Sequence, residues 1–166
     1  MELRPYQVEA VESVFREWKQ GRKRTLLVQA TGTGKTICFA EVVRRVASHG
    51  GRSLILAHRG ELLEQAATKI EQTANLKCTL EKAENTSLNS WTSVTVGSVQ
   101  TLMRESRLSQ FRPDAFDCIV VDEAHHTLAE GYTRLLAHFE SANVLGVTAT
   151  ADRADRKDLG EVYDSI

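Results

Sequence analysis

Residues 29–36 read QATGTGKT and join two different patterns of apolar residues. The segment before them, TLLV, is typical of a buried strand, and the segment after them repeats apolar side chains at helical spacing. Gly32 and Gly34 let main-chain N–H groups approach an anion, and the first turn of the next helix adds unpaired donors and the positive end of its dipole. This stretch predicts a strand, a phosphate-binding turn and a helix, in that order.

Two side chains at the end of this turn have the chemistry that a bound nucleotide requires. Lys35 is placed to reach the β and γ phosphates, and the Thr36 hydroxyl is placed to bind Mg²⁺. The strict phosphate-loop pattern has glycine where this chain has Gln29. The stretch alone therefore leaves a second interpretation open, a glycine-rich turn before an ordinary helix.

The composition is that of a soluble globular domain. The chain has 166 residues, of which 42% are hydrophobic and 26% charged, enough for one domain with a sizeable core. No apolar run approaches the roughly 20 residues needed to cross a bilayer, and the first five residues lack a secretory signal. We therefore expect a cytoplasmic protein with no membrane partner.

Charge and cysteine usage exclude several classes of site. Cys38, Cys78 and Cys118 are odd in number and far apart, which favours neither a disulfide framework nor a zinc site. They are interpreted as small hydrophobic residues of the core. The net charge is −1, so the chain as a whole is not an electrostatic trap for nucleic acid, and any such surface must be local.

Apolar strand runs alternate with helical patterns along the chain, which predicts an α/β fold, a three-layer domain with a largely parallel sheet. The predicted strands are 25–29, 53–57, 92–96, 116–121 and 143–147, with a minor strand at 77–80. The predicted helices run from Pro5 to about residue 19, from the phosphate loop to about residue 48, and over 60–75, 99–103 and 132–139. Ligands of such sheets bind beyond the carboxyl ends of the strands. The phosphate loop and residues 57–59, 97–98, 122–123 and 148–150 should therefore gather on one rim.

A second motif, VVDEAHH at residues 120–126, supplies what a phosphate loop needs next. An apolar strand delivers Asp122, which is suited to hold Mg²⁺ through its water shell. Glu123 is suited to orient and deprotonate the attacking water. Two adjacent acids alone usually mark a solvated turn, but together with the upstream loop they predict a nucleotide-hydrolysing site.

With these motifs the chain resembles the first RecA-like domain of superfamily 2 helicases and translocases. The resemblance is specifically to the DEAH-type branch, which includes restriction-enzyme motor subunits and DNA-repair helicases. Six segments match the motifs of that family in the same order, namely residues 3–7, 29–36, 56–63, 96–102, 122–125 and 148–150. The resemblance implies a RecA-like P-loop NTPase domain of α/β/α architecture that uses ATP and Mg²⁺.

The resemblance also assigns roles to individual residues. It implies that Thr31, Gly32, Thr33 and Gly34 cradle the phosphates together with Lys35 and Thr36. The Gln7 carboxamide suits the N6 and N7 edge of adenine, and Tyr6 or Arg4 is suited to stack on the ring. The alternative for this segment is a glutamine that caps the helix and an exposed arginine.

Further residues match the family's nucleic-acid and coupling motifs. Arg59, Ser98, Gln100 and Thr101 are implied contacts to the sugar-phosphate backbone of a tracking strand, although any of them also suits an ordinary polar surface. His125, Thr148 and Thr150 are implied to link the nucleotide site to that surface.

The resulting interpretation is one domain, residues 1–166, of a nucleic-acid-dependent ATPase, with DNA favoured over RNA. A second RecA-like domain, which would supply an arginine finger, is missing from this chain, so we expect the chain alone to be nearly inactive. Two alternatives are a self-sufficient P-loop NTPase and a binding module that holds nucleotide without turnover. A guanine-reading N-K-x-D segment, which would favour the first, does not occur in the sequence.

Overall fold

Six parallel strands and six helices make up most of the chain that the computed structural model describes. The described residues are 3–28, 35–57, 60–74, 76, 78–81, 93–122, 130–148 and 163. The helices are α1 Pro5–Lys19, α2 Lys35–Ser48, α3 Gly60–Ala74, α4 Val99–Leu102, α5 Glu105–Leu108 and α6 Glu130–His138. The strands are β1 Arg24–Val28, β2 Ser53–Ala57, β3 Cys78–Glu81, β4 Val94–Ser98, β5 Cys118–Asp122 and β6 Asn143–Thr148.

The strands pair in the order β1-β6-β5-β2-β4-β3, and every pair is parallel. The connections through α2 and α3 run toward the β3 edge, and those through α4, α5 and α6 run back toward the β1 edge. Right-handed crossovers then require the two groups of helices to cover opposite faces. The two core clusters agree, because α1, α2 and α3 contribute to one and α4, α5 and α6 to the other. The predicted three-layer α/β fold is confirmed.

The element bounds differ from the prediction mainly at β4, β5 and α5. Strand β4 was expected to end at residue 96 and continues to Ser98. Phe116 was expected in the strand, but the pairing of β5 with β2 starts at Cys118. The Phe116 ring packs against Phe111 and Phe139, with centroids 5.9 and 5.4 Å away. The strand therefore begins at Cys118. Helix α5 was not predicted, because a four-residue element with Leu108 as its buried apolar residue has no periodic pattern.

The cysteines behave as the sequence predicted. All three are free thiols, with Cys38 and Cys118 buried and Cys78 half-buried. Burial is the main reason that the pKa of Cys78 and that of Cys118 are each raised to about 12. These two side chains therefore stay uncharged at neutral pH.

Helix α1 extends along the strands, between their carboxyl ends and their amino ends. The indole Nε1 of Trp18 donates to the carbonyl oxygen of Val144 at 3.4 Å, which places the end of α1 beside the start of β6. Gln7 lies about 16 Å back along the helix axis, at a rise of 1.5 Å per residue. A five-residue strand has about the same length. The start of α1 therefore lies level with the carboxyl ends of the strands.

Gly146 in β6 is required by a close approach from Tyr163. The glycine pairs with Leu26 on one side and Val121 on the other, in the middle of the sheet. A Cβ atom at this position would lie 2.5 Å from Cζ and 2.8 Å from Cε1 of Tyr163. The tyrosine ring, which is buried, fills the space that a side chain would take.

We predict that Gly146→Ala destabilises the domain by about 1–3 kcal/mol, the range for overpacking a filled core. Urea unfolding measures the change. The matched background is Tyr163→Ala, in which the added methyl group has room, so Gly146→Ala should cost much less there. An equal cost in both backgrounds would show that the contact with Tyr163 is not the cause.

Candidate functional site

The carboxyl ends of the described strands form one edge of the sheet, as the sequence predicted. Thr148 pairs with Val28, and Asp122 pairs with the residue before Thr148. On the other side of β5, Ala57 pairs with Ser98. The described residues that were predicted to gather on one rim, Ala57, Ser98, Asp122 and Thr148, therefore lie on the same edge of the sheet.

Asp122 is the half-buried last residue of β5. It pairs with Val147, which in turn pairs with Leu27, and residues in parallel register point to the same face of the sheet. Val147 and Leu27 belong to the cluster that α1 and α2 cover. The Asp122 side chain therefore lies on the face of the sheet that α2 covers.

Helix α2 begins on that face at Lys35, seven residues after the end of β1. The first turn of a helix leaves N–H groups without intrahelical partners and carries the positive end of the dipole. Thr36, the second residue of α2, is half-buried. Two oxygen donors suited to Mg²⁺, from Thr36 and Asp122, thus belong to one edge and one face of the sheet, which fits the predicted metal.

The start of α1 carries the three residues that were predicted to bind adenine. Oε1 of Gln7 accepts a hydrogen bond from the backbone N–H of Arg4 at 2.8 Å, and the Gln7 side chain is buried. This is the helix-capping arrangement that the sequence left open as an alternative. Arg4 is exposed and Tyr6 is 43% exposed, so both are accessible for stacking.

The residues that were predicted to contact nucleic acid differ in accessibility. Ser98 and Thr101 are 5% and 4% exposed, whereas Gln100 is exposed at the start of α4. Of the three members of this set that the structure describes, Gln100 is therefore the one with an accessible side chain. Thr148, which was assigned to coupling, is fully buried at the end of β6.

Several predicted residues lie outside the described part of the chain. They are Thr31, Gly32, Thr33, Gly34, Arg59, Glu123, His125 and Thr150. For Lys35 the structure describes the backbone as the first residue of α2 and not the side chain. Their roles remain predictions.

Tyr132 is a neighbour of the site that the sequence marked only as part of an apolar stripe. Burial raises the pKa of Tyr132 to about 12, with smaller contributions from Tyr163 and Asp122. Its buried hydroxyl has no hydrogen-bond partner among the described residues. The apolar stripe of this helix requires only a hydrophobic side chain at position 132. The hydroxyl of a tyrosine there was the sequence signal that could have singled the residue out.

A search of the described helices for a membrane span finds none of sufficient length and apolar character.

Comparison with known proteins identifies the family. Residues 1–153 match the family described as "Type III restriction enzyme, res subunit". The chain is 34% identical over 178 residues to IRC3 of Saccharomyces cerevisiae, covering 99% of this chain and 26% of that protein. It is 31% identical to the "DNA 3'-5' translocase XPB2" of Sulfurisphaera tokodaii, covering 95% and 33%. The chain thus spans a third or less of the length of these relatives.

Known structures share the fold at lower identity. The UvsW helicase from bacteriophage T4 aligns over 100% of this chain and 60% of its own, with a TM-score of 0.81 and 17% identity. The Sulfolobus solfataricus SWI2/SNF2 ATPase core, in complex with dsDNA, aligns over 93% and 34%, with a TM-score of 0.73 and 19% identity. The chain belongs to the type III restriction enzyme res subunit family and is a first RecA-like domain of superfamily 2.

Proposed function

We propose that this chain is the ATP-binding domain of a nucleic-acid-dependent ATPase that couples ATP hydrolysis to movement on DNA or to its unwinding. The observation that carries the proposal is the placement of Thr36 and Asp122 at the same edge and on the same face of the sheet, with Thr36 in the first turn of a long helix. A phosphate group with its metal ion needs this combination of helix N-terminus and oxygen donors.

In this proposal each residue of the site has one task. The N–H groups of residues 31–36 and the Lys35 ammonium bind the phosphates, while the Thr36 hydroxyl and the Asp122 carboxylate hold Mg²⁺. Bound Mg²⁺ neutralises charge on the β and γ phosphates. Glu123 orients the attacking water and takes its proton. His125, Thr148 and Thr150 couple this site to the nucleic acid.

Adenine is proposed to bind at the start of α1. The bond from Arg4 N–H to Gln7 Oε1 fixes the orientation of the carboxamide. Preorganisation of this kind supports selective recognition, because less rotamer freedom is lost when the base binds. Tyr6 and Arg4, both exposed, offer a ring and a guanidinium for stacking.

The proposed nucleic acid is DNA, contacted through its backbone by Gln100, which is exposed, and by Arg59. Ser98 and Thr101 are buried in the domain as described and are not proposed as direct contacts. Support comes from a relative named as a DNA translocase and from a structural neighbour whose structure is a complex with dsDNA. The proposed protein partner is a second RecA-like domain that supplies an arginine finger, a group worth roughly 10³ to 10⁵ in kcat. The chain alone should therefore hydrolyse ATP barely above background. Its free thiols support a reducing compartment, and we propose the cytoplasm.

We predict that saturating Mg·ATP raises the melting temperature of the purified chain by several degrees. A ligand at 100 times its Kd stabilises the native state by about 2.7 kcal/mol. Lys35→Ala should remove most of the shift, since the lysine binds the β and γ phosphates, and differential scanning fluorimetry measures it.

The matched control is Lys69→Ala, which removes an exposed lysine of α3 and should leave the shift intact. A shift that survives Lys35→Ala would reject the phosphate site. Equal shifts with ATP and GTP would count against the adenine role of Gln7.

We predict that Glu123→Gln keeps ATP binding and lowers kcat by roughly 10²-fold or more, because the general base is lost. The measurement is steady-state ATPase activity with single-stranded DNA, in the longer protein that contains the second domain. Nucleotide affinity, measured with a fluorescent ATP analogue, should be unchanged. An unchanged kcat would reject the assignment of Glu123.

A further inference from the structure

An open groove of about 700 Å³ lies at the amino ends of the strands, opposite the nucleotide site. The C-terminal ends of α1 and α2 form its walls. The residues that line it there are Phe15, Trp18, Lys19, Arg45 and His49, and Asp117, which directly precedes β5, lines it as well. A five-residue strand separates this edge from the carboxyl edge by about 16 Å. The groove is therefore distinct from the site described above.

One wall of the groove is aromatic. The rings of Phe15 and Trp18 pack edge to face, with centroids 5.2 Å apart and an interplanar angle of 81°. The Arg45 guanidinium lies 5.9 Å from the centre of the Phe15 ring, and the bond from the Trp18 indole to Val144 holds the second ring in place. Phe15 and Trp18 are only half-buried, so they offer accessible aromatic surface.

The surroundings of the groove are basic, although the net charge of the chain is −1. The residues at the ends of α1 and α2 and just before β1 and β2 include the cationic side chains Lys19, Arg22, Lys23, Arg44, Arg45 and Arg52, together with His49. The carboxylates facing them are Glu17, Glu41 and Asp117. Among the residues that line the groove, Lys19 and Arg45 are cationic and Asp117 is the carboxylate.

The carboxylates already have partners. Glu17 pairs with Arg22 at 2.7 Å, and Glu41 binds both Arg44 and Arg45. An oxygen of Asp117 accepts the backbone N–H of Arg52 at 2.9 Å. Lys19 and Lys23 are exposed and make no ion pair within 4 Å among the described residues. The Lys23 carbonyl oxygen accepts the Val144 N–H at 2.7 Å, so the Lys23 backbone lies beside the residue that the Trp18 indole binds, at the margin of the groove.

We propose that this groove is a second nucleic-acid-binding surface, on which Lys19 and Lys23 contact phosphates and the Phe15–Trp18 wall contacts bases. Aromatic and cationic side chains together match the two parts of a nucleotide, the planar base and the phosphate. An acidic protein segment needs only the cations, so the accessible aromatic wall favours a single-stranded nucleic acid. The surface lies apart from the ATP site, and its occupancy does not depend on ATP hydrolysis.

A simpler explanation is that the basic residues only stabilise the C-terminal ends of α1 and α2, where cations interact favourably with the helix dipole. That explanation covers Lys19 and Arg45, which lie in or near the last turns. It does not cover Lys23, which lies beyond the end of α1.

The test is fluorescence anisotropy of a labelled oligothymidylate of about 20 nucleotides, titrated with the purified chain at salt concentrations between about 50 and 200 mM. We expect Lys19→Glu and Lys23→Glu each to raise Kd about fivefold or more. Each should also reduce the salt dependence of binding by about 0.7 in the log–log slope, the value for one lost phosphate contact on a single strand.

The matched control is Lys69→Glu, the same charge reversal on the exposed surface of α3. It should change Kd by less than about twofold, since only long-range charge is altered. If all three variants weaken binding equally, net charge explains the effect and the second surface is rejected. The Mg·ATP-induced melting shift should persist in all three, so failure of this proposal is distinguishable from failure of the ATP site.

A second readout tests the aromatic wall. With Trp91→Phe in place, Trp18 is the remaining one of the two tryptophans. Oligothymidylate should quench its fluorescence, and polyglutamate of similar length should not, because only the bases stack. Equal displacement of the labelled strand by polyglutamate and by unlabelled oligothymidylate would overturn the assignment to nucleic acid in favour of an acidic protein partner.

Discussion

The parallel pairing of β1, β6 and β5 is the constraint on which the rest of the structure depends. Backbone hydrogen bonds hold Val28 level with Thr148, and Asp122 level with Val147. Neighbouring strands lie about 4.8 Å apart, so the end of β1 and the end of β5 are about 10 Å apart across β6. That gap accommodates a phosphate group and a metal ion between a helix N-terminus and a carboxylate. A slip of one residue would turn Asp122 to the other face, away from α2.

Strand β6, which lies between β1 and β5, carries both a glycine and a buried threonine. Gly146 leaves room for the Tyr163 ring against the middle of the sheet, and Thr148 ends the strand with its side chain fully buried. Strand β6 is paired with both β1 and β5, so a shift of either strand would also move β6. The position of Thr148 is therefore suited to coupling, the role that we propose for it.

The sequence predicted most of the fold because a sheet covered on both faces leaves strong local patterns. Residues 54–57 are all apolar because α3 packs on one side of β2 and α4 lies on the other. The same patterns indicated which polar residues follow strands and thus share an edge. They did not indicate that β6 lies between β1 and β5, since strand order is decided by long-range packing.

Two features of the molecule had no local signal. A glycine within a strand does not reveal that Tyr163, seventeen residues later, fills the space above it. The basic residues 19–24 and 44–52 belong to separate segments, and it is the packing of α1 on α2 that brings Phe15 and Arg45 together. Contacts of this kind become visible only once the helices are placed.

Hydrogen–deuterium exchange of the chain, with and without saturating Mg·ATP, tests the central claim most directly. A ligand bound at the carboxyl edge protects amides that it contacts or orders. The account predicts slower exchange in peptides covering residues 29–36 and 118–123, and unchanged exchange at residues 19–24 and 44–52 on the opposite edge. Protection confined to the amino edge, or no protection at residues 29–36, would contradict it.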